Sequence, residues 1–244
     1  MIALGLESAT ELVGAAVADS SGVRGEQWST GRRRHVESLA PAIEAVLAQC
    51  EVPLSGIEVV VVDVGPGLFT GLRVGVATAQ GLAQGLGIGV LAVSSLEVLA
   101  AQALAGGWPG AVLAVVDARR GEVFTAAYES DGDVPGELLP PALRSPADLA
   151  AAAYEARSAA STTADVLAVG DGARRYAAEL HGDAVVLAPP TFIGPSPAAL
   201  VALGLARLRL GAVPVAAEVV APLYLRPPDA KINWVQRQPV RARS

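Results

Sequence analysis

Cys50 is the single cysteine of the chain, so no internal disulfide can form, and this fits a reducing compartment. Histidine is almost as scarce. His35 and His181 lie far apart in the sequence, which leaves neither a pair of imidazoles one helical turn apart nor a His-Glu-x-x-His motif. Lysine occurs once, as Lys231, and the 18 Lys+Arg against 24 Asp+Glu give a formal charge of −6. A surface of that sign does not attract nucleic acid or anionic lipid over its whole extent. Contact with either must be local or made by a partner. Charged residues amount to only 17% and hydrophobic residues to 52%, the reverse of a disordered composition. The 244 residues allow one large or two small domains. The opening Met1-Ile2-Ala3-Leu4-Gly5-Leu6-Glu7 has no basic stretch and meets an acid at once, unlike a secretory leader.

The run Val74 to Leu96 is uncharged and long enough to span a bilayer. Glycines at 75, 81, 85, 87 and 89, with Gln80 and Gln84, favour a different reading. Gly85-Leu86-Gly87-Ile88-Gly89 reads as a helix stop followed by a buried strand. A soluble, cytoplasmic chain with no membrane contact is expected.

Along the chain, residues 2–6 and 13–18 flank a polar turn and predict a hairpin, with a third strand reaching about Ser29. Val36, Leu39, Ile43, Val46 and Leu47 recur at helical spacing within residues 36–50. Val59 to Val64 is a nearly unbroken β-branched run, the pattern of a strand buried on both faces. A helix over 71–86, a strand over 89–93 and a helix over 95–105 follow. Then the order restarts: strands at 111–116 and 123–128 enclose Asp117-Ala118-Arg119-Arg120-Gly121. The segment Leu4 to Thr10 and the segment Ala114 to Arg120 each read strand, acid, small polar turn. This weak duplication predicts an α/β protein of two related lobes, residues 1–105 and 106–226. Residues 130–144 read as a Pro- and Gly-rich loop, 145–158 and 173–180 as helices, and 166–169 as a strand. The helix expected at 195–210 is a candidate to pack back on the first lobe, and 227–244 reads as a disordered tail.

The most informative stretch is Gly65-Pro66-Gly67-Leu68-Phe69-Thr70-Gly71-Leu72-Arg73, between a buried strand and a helix. Thr70 is an N-cap candidate, and a helix N-terminus behind a glycine loop can hold an anion. The Gly-Lys-Ser/Thr ending of a phosphate loop is missing, and Thr70 stands where a dinucleotide fingerprint needs glycine. A tight structural turn with Phe69 in the core is the favoured reading. In the helix that follows, Gly71, Gly75, Ala79 and Ala83 form one small-residue stripe, and Ala77, Gly81 and Gly85 form a second. Glycine inside a helix costs about 1 kcal/mol relative to alanine, so close approach of another backbone is expected to offset it.

This stretch, continued by Gly75 and by Ala79-Gln80-Gly81-Leu82-Ala83, resembles the signature of the TsaB family, also called YeaZ. Leu6-Glu7-Ser8-Ala9-Thr10 is similar to the family's N-terminal turn, Asp117 to Phe124 to its second hairpin, and Pro222-Leu223-Tyr224-Leu225-Arg226 to its C-terminal strand. The resemblance covers about residues 1–128 and 196–226. It implies the two-lobed actin- and hexokinase-like (ribonuclease H-like) fold, with a mixed sheet in each lobe. It implies a pseudoenzyme: the catalytic relative TsaD holds a metal with paired histidines, whereas here Leu39 follows His35 at the second position. It implies a non-catalytic subunit that supports transfer of threonylcarbamoyl to the adenosine beside the tRNA anticodon. Its partners would be a TsaD-type paralogue, a TsaE-type ATPase and a second copy of itself, with tRNA met only through the complex.

The interface the resemblance implies lies on the helices 36–50 and 71–86, at Leu39, Ile43, Leu72, Gly75, Val76, Ala79, Leu82 and Ala83. Gly65, Pro66, Gly67, Phe69, Thr70, Gly71 and Arg73 form the structural loop. No residue is assigned to catalysis, a metal or a resident cofactor. Glu7, Ser8 and Thr10 are the nearest candidates for a nucleotide contact. Glu7 stands where the family usually has aspartate, and a turn carboxylate at the lobe surface is expected there. Arg32-Arg33-Arg34, Arg119-Arg120 and the tail cations Arg237, Arg241 and Arg243 read as solvated. The competing reading is an ATP-dependent kinase or transferase of the same fold. A metalloprotease lacks its motif.

Overall fold

The computed structural model describes residues 1–30, 35–180, 182 and 184–226. Arg32-Arg33-Arg34, His181 and the segment 227–244 lie outside the described residues. The first sheet is built from β1 (Ala3–Glu7), β2 (Leu12–Asp19), β3 (Gly22–Thr30), β4 (Val59–Asp63) and β5 (Gly89–Val93) in the order β3-β2-β1-β4-β5. β1 pairs antiparallel with β2 and parallel with β4, which pairs parallel with β5. The second sheet contains β6 (Val112–Arg119), β7 (Glu122–Asp131), β8 (Val134–Arg144), β9 (Val166–Val169) and β10 (Val185–Leu187) in the order β10-β9-β6-β7-β8. Both sheets run an antiparallel three-strand meander into parallel partners. The duplication faintly visible between Leu4–Thr10 and Ala114–Arg120 is therefore a repeat of topology.

Every residue of β1 and β4 is buried, as continuous apolar runs at the centre of a covered sheet require. One face is covered by α1 (His35–Gln49) and α2 (Phe69–Leu86), through Leu39, Ile43, Val46, Val76 and Ala79. The other face is covered by α6 (Pro197–Arg209), through Leu200, Val201 and Leu203. That approach is close: a Cβ at Gly5 would press on Val201, and one at Gly204 on Val61. In exchange, α3 (Ser95–Ala105) lays Leu96, Leu99 and Ala103 on the second sheet. Helix α3, which follows the first sheet in the chain, thus packs on the second, and α6, which follows the second, packs on the first. Glu97 of α3 and Arg207 of α6 form an ion pair at this crossing.

Four expectations need correction. Residues 134–144, read as loop, form strand β8, and its prolines at 135, 140 and 141 are tolerated because it is an edge strand. The helix expected from 145 starts as a short 3₁₀ turn at Pro146–Asp148 before α4 (Leu149–Ala159). The helix expected over 173–180 is instead α5 (Asp171–Arg175) followed by a 3₁₀ turn at Ala177–Glu179. The C-terminal segment likened to a strand, residues 222–226, has no regular secondary structure. Val215 makes a two-bond bridge to Val90 of the edge strand β5, and Leu223 N donates to Val64 O at 2.7 Å.

Candidate functional site

The parallel register that sets Leu6 beside Val62 places Glu7 and Asp63 at neighbouring strand ends. Both are completely buried, at 0% exposure, which corrects the expectation of a surface carboxylate at Glu7. Glu7 Oε1 accepts from Ala9 N at 2.8 Å. Asp63 Oδ1 accepts from Gly65 N and Ser95 Oγ, each at 2.7 Å. Among the described residues, the remaining oxygens, Glu7 Oε2 and Asp63 Oδ2, have no hydrogen-bond partner. Burial pushes the Glu7 carboxyl well above the ordinary carboxylate range, and the neighbouring Asp63 adds to it. Burial raises Asp63 as well. Two desolvated carboxyls side by side resist a second negative charge, and a proton held between them would relieve that repulsion. The acid of the first hairpin is therefore turned into the core.

The glycine loop seals it there. Leu68 N donates to Ala9 O at 2.7 Å, and a Cβ at Gly67 would collide with that carbonyl. Gly65 adopts φ +103°, a conformation open to glycine. Ser8 Oγ donates to Gly71 O at 2.8 Å, and a Cβ at Gly75 would strike Ser8 Oγ. The close approach inferred for Gly75 is thus to the chain's own turn. Pro66 and Gly71 are buried in this turn. Two readings of the loop are overturned. The residue preceding α2 is Leu68, with no side-chain cap, and Thr70 lies exposed in the first turn. Phe69 is 55% exposed because α2 begins with that side chain pointing away from the sheet.

Outside the core, Phe69 and Tyr224 stack with ring centroids 5.5 Å apart. The Arg73 guanidinium lies 3.9 Å from the Phe69 centroid, and its Nε donates to Tyr224 Oη at 3.2 Å.

The second hairpin meets the first across the lobes. Arg119 and Arg120 take φ of 63° and 57° at its tip, followed by Gly121. Arg119 forms ion pairs with Asp117 and with Glu11 of the first hairpin, each at 2.9 Å. Asp117 also faces Arg175 at 3.6 Å, and its N–H donates to Asp171 Oδ1 at 2.9 Å. Burial raises the Asp171 carboxyl. The Glu11–Arg119 bridge stands between two interlobe cavities. One, of about 740 Å³, is lined by Thr10, Glu11, Trp28, Asp171 and Phe192. The other, of about 630 Å³, is lined by Phe69, Arg73, Arg119, Arg120, Tyr224 and Arg226.

Among the described residues, no group of three or more His, Cys, Asp or Glu is arranged to hold a metal ion. No helix among them is long and apolar enough to cross a membrane. Of the residues assigned to an interface, Leu39, Ile43, Leu72, Gly75, Val76, Ala79 and Ala83 are buried within this chain, and Leu82 is half-buried. They hold α1 and α2 on the sheet, so the face offered outward is the opposite one. It carries Ala40, Ala45 and Ala48 on α1 and Ala77, Gly81 and Gly85 on α2, all exposed. Among the described residues, nothing beyond the local helix backbone and chain neighbours lies within 4 Å of a Cβ placed at Gly81 or Gly85. Sequence reasoning missed Asp63 as the partner of Glu7, the Glu11–Arg119 bridge and the Arg73–Phe69–Tyr224 stack. Acids closing two neighbouring parallel strands were the available signal for the first.

Two lobes with one repeated sheet topology, their hairpin tips meeting across a cleft, define a protein of the actin-like α/β class. The family described as TsaD, tRNA N6-adenosine threonylcarbamoyltransferase, matches residues 22–234. TsaB of Bacillus subtilis, named a tRNA threonylcarbamoyladenosine biosynthesis protein, is 32% identical over 140 residues, covering 57% of this chain and 60% of that one. An uncharacterized protein of Mycobacterium leprae is 34% identical over 98% of this chain and 58% of its own length. The solved structure of YeaZ from Pseudomonas aeruginosa aligns with a TM-score of 0.79 at 28% identity, covering 92% of this chain and 99% of that one. The chain belongs to the TsaB (YeaZ) family, within the broader TsaD family. It spans about three-fifths of the length of the first two relatives.

Proposed function

We propose that this chain is a non-catalytic subunit of the assembly that makes threonylcarbamoyladenosine on tRNA, acting in the cytoplasm. The observation that carries the reading is the inward turn of Glu7. The acid that a working ATPase of this fold would aim at metal and water is buried against Asp63, and the hairpin tips are tied by Glu11 and Arg119. A carboxyl enclosed in the core is a poor metal ligand, because metal binding requires the charged, accessible form.

The partners are a TsaD-type paralogue and a TsaE-type ATPase, with a homodimer in their absence. The paired helices α1 and α2 are the docking face, presented through the outward small residues Ala45, Ala77, Gly81 and Gly85. Small side chains let a partner's helices approach closely. The same face serves a copy of the chain or a fold relative.

Co-purification with a TsaD-type protein tests the partner face. Ala45→Arg and Gly81→Arg, both at exposed positions, are expected to leave the fold intact and abolish pairing. Undiminished pairing by both variants would remove α1 and α2 from the interface.

A further inference from the structure

The two interlobe cavities differ in charge. Among the described residues, the larger is lined by Glu11, Glu26 and Asp171 and by no cation. Among the same residues, the smaller is lined by four arginines, at 73, 119, 120 and 226, against one acid, Asp117. Arg119 and Arg226 are paired with Glu11 and Glu122, yet the lining itself is cationic on a chain of net charge −6. Asp117 is already held by Arg119. Arg73 has no carboxylate within ion-pair distance among the described residues, and its Nη groups have no protein partner there, since its polar contact is through Nε. Beside it, Phe69 and Tyr224 are 55% and 48% exposed yet already oriented by each other and by Arg73. Two exposed rings held in place next to arginine donors offer a flat face for a base and cations for its phosphate.

We infer that the cavity between the start of α2, the tip of the second hairpin and residues 223–226 binds an unstacked stretch of single-stranded RNA. A base stacks on the Phe69–Tyr224 platform, and the adjoining phosphate meets Arg73. The platform is open and on the surface, which suits a strand that continues past it. The lining carboxylate, Asp117, is engaged by Arg119 and Arg175, which leaves it poorly placed to hold a magnesium-bound polyphosphate. The choice of RNA rests on the proposed role in tRNA modification. The site itself rests on the cavity.

The test is fluorescence anisotropy of a short labelled single-stranded RNA with the full chain, at low and raised salt. Adenosine monophosphate and duplex RNA serve as competitors. Phe69→Leu and Tyr224→Leu keep apolar volume and remove stacking, and each is expected to weaken binding about tenfold. Arg73→Gln is expected to weaken binding and flatten its salt dependence. Trp28→Leu, in the other cavity, is expected to change nothing. Absence of binding would overturn the proposal. So would binding indifferent to Phe69, Tyr224 and Arg73, or binding of the mononucleotide alone. This assay reads the isolated chain, so its failure leaves the subunit role standing if modified adenosine still requires the chain. Conversely, retained binding does not rescue that role if product forms without the chain.

Discussion

Glu7 closes β1 and Asp63 closes the neighbouring parallel strand β4, and both carboxyls are buried in the core, each with one oxygen that has no hydrogen-bond partner among the described residues. The pair fixes the first hairpin to the start of α3 through Ser95 and to the glycine loop through Gly65.

One protonated and one ionised carboxyl can be imitated by an amide and a carboxylate. Glu7→Gln is therefore expected to be at least as stable as the parent at neutral pH. Glu7→Ala leaves Asp63 buried beside a cavity and is expected to cost about 2–4 kcal/mol. Urea denaturation of the two variants measures the difference. Equal destabilisation by both would contradict a shared proton.

The same pair sets a pH dependence. Both carboxyls are raised in the folded chain, so the folded state holds protons that the unfolded state releases. The stabilisation is whole below the ordinary carboxylate range and is lost as pH rises through the elevated folded value. Relative to Glu7→Gln, the parent is expected to lose stability between mildly acidic and alkaline pH. Parallel stability profiles for the two proteins would contradict this.

Glycines on the two sides of α2 are expected to respond oppositely to alanine. At Gly75 a Cβ meets Ser8, and Gly75→Ala should destabilise by about 1–3 kcal/mol. At Gly81 the space is open, and Gly81→Ala should stabilise the isolated chain by up to ~1 kcal/mol. Thermal melts give the signs. Stability changes of the same sign at both positions would mean that the two faces of α2 are wrongly assigned.

The bridge between the hairpins is worth little by itself. Glu11 and Arg119 side chains are 39% and 38% exposed, so a double-mutant cycle with Glu11→Gln and Arg119→Gln should give a coupling below about 1 kcal/mol that shrinks with salt. A larger, salt-insensitive coupling would mean that the lobes are locked by this contact.

Much of this architecture was legible before the structure. Val59–Val64 has the pattern typical of a strand buried on both faces, and the restart of pattern at Ala111 points to two related lobes. What escaped notice depended on tertiary placement. Pro135, Pro140 and Pro141 read as a loop because proline is excluded from central strands, but an edge strand has an unpaired side that accepts it. Phe69 read as core because aromatics usually are, whereas helix phase at the first turn of α2 turned it outward. Glu7 read as a surface acid because burial of a carboxyl is costly, and only the register of β1 on β4 supplied the partner that makes it tolerable. Which stripe of α2 faces outward was not legible for a related reason. Two small-residue stripes share one helix, and sequence alone does not say which faces the sheet.

The most direct test of the subunit role is reconstitution of threonylcarbamoyladenosine on tRNA from threonine, bicarbonate, ATP and the bacterial partner proteins, with and without this chain. The account predicts that modified adenosine requires the chain and that the chain alone turns over no ATP. Equal product in its absence, or ATP turnover by the isolated chain, would contradict it.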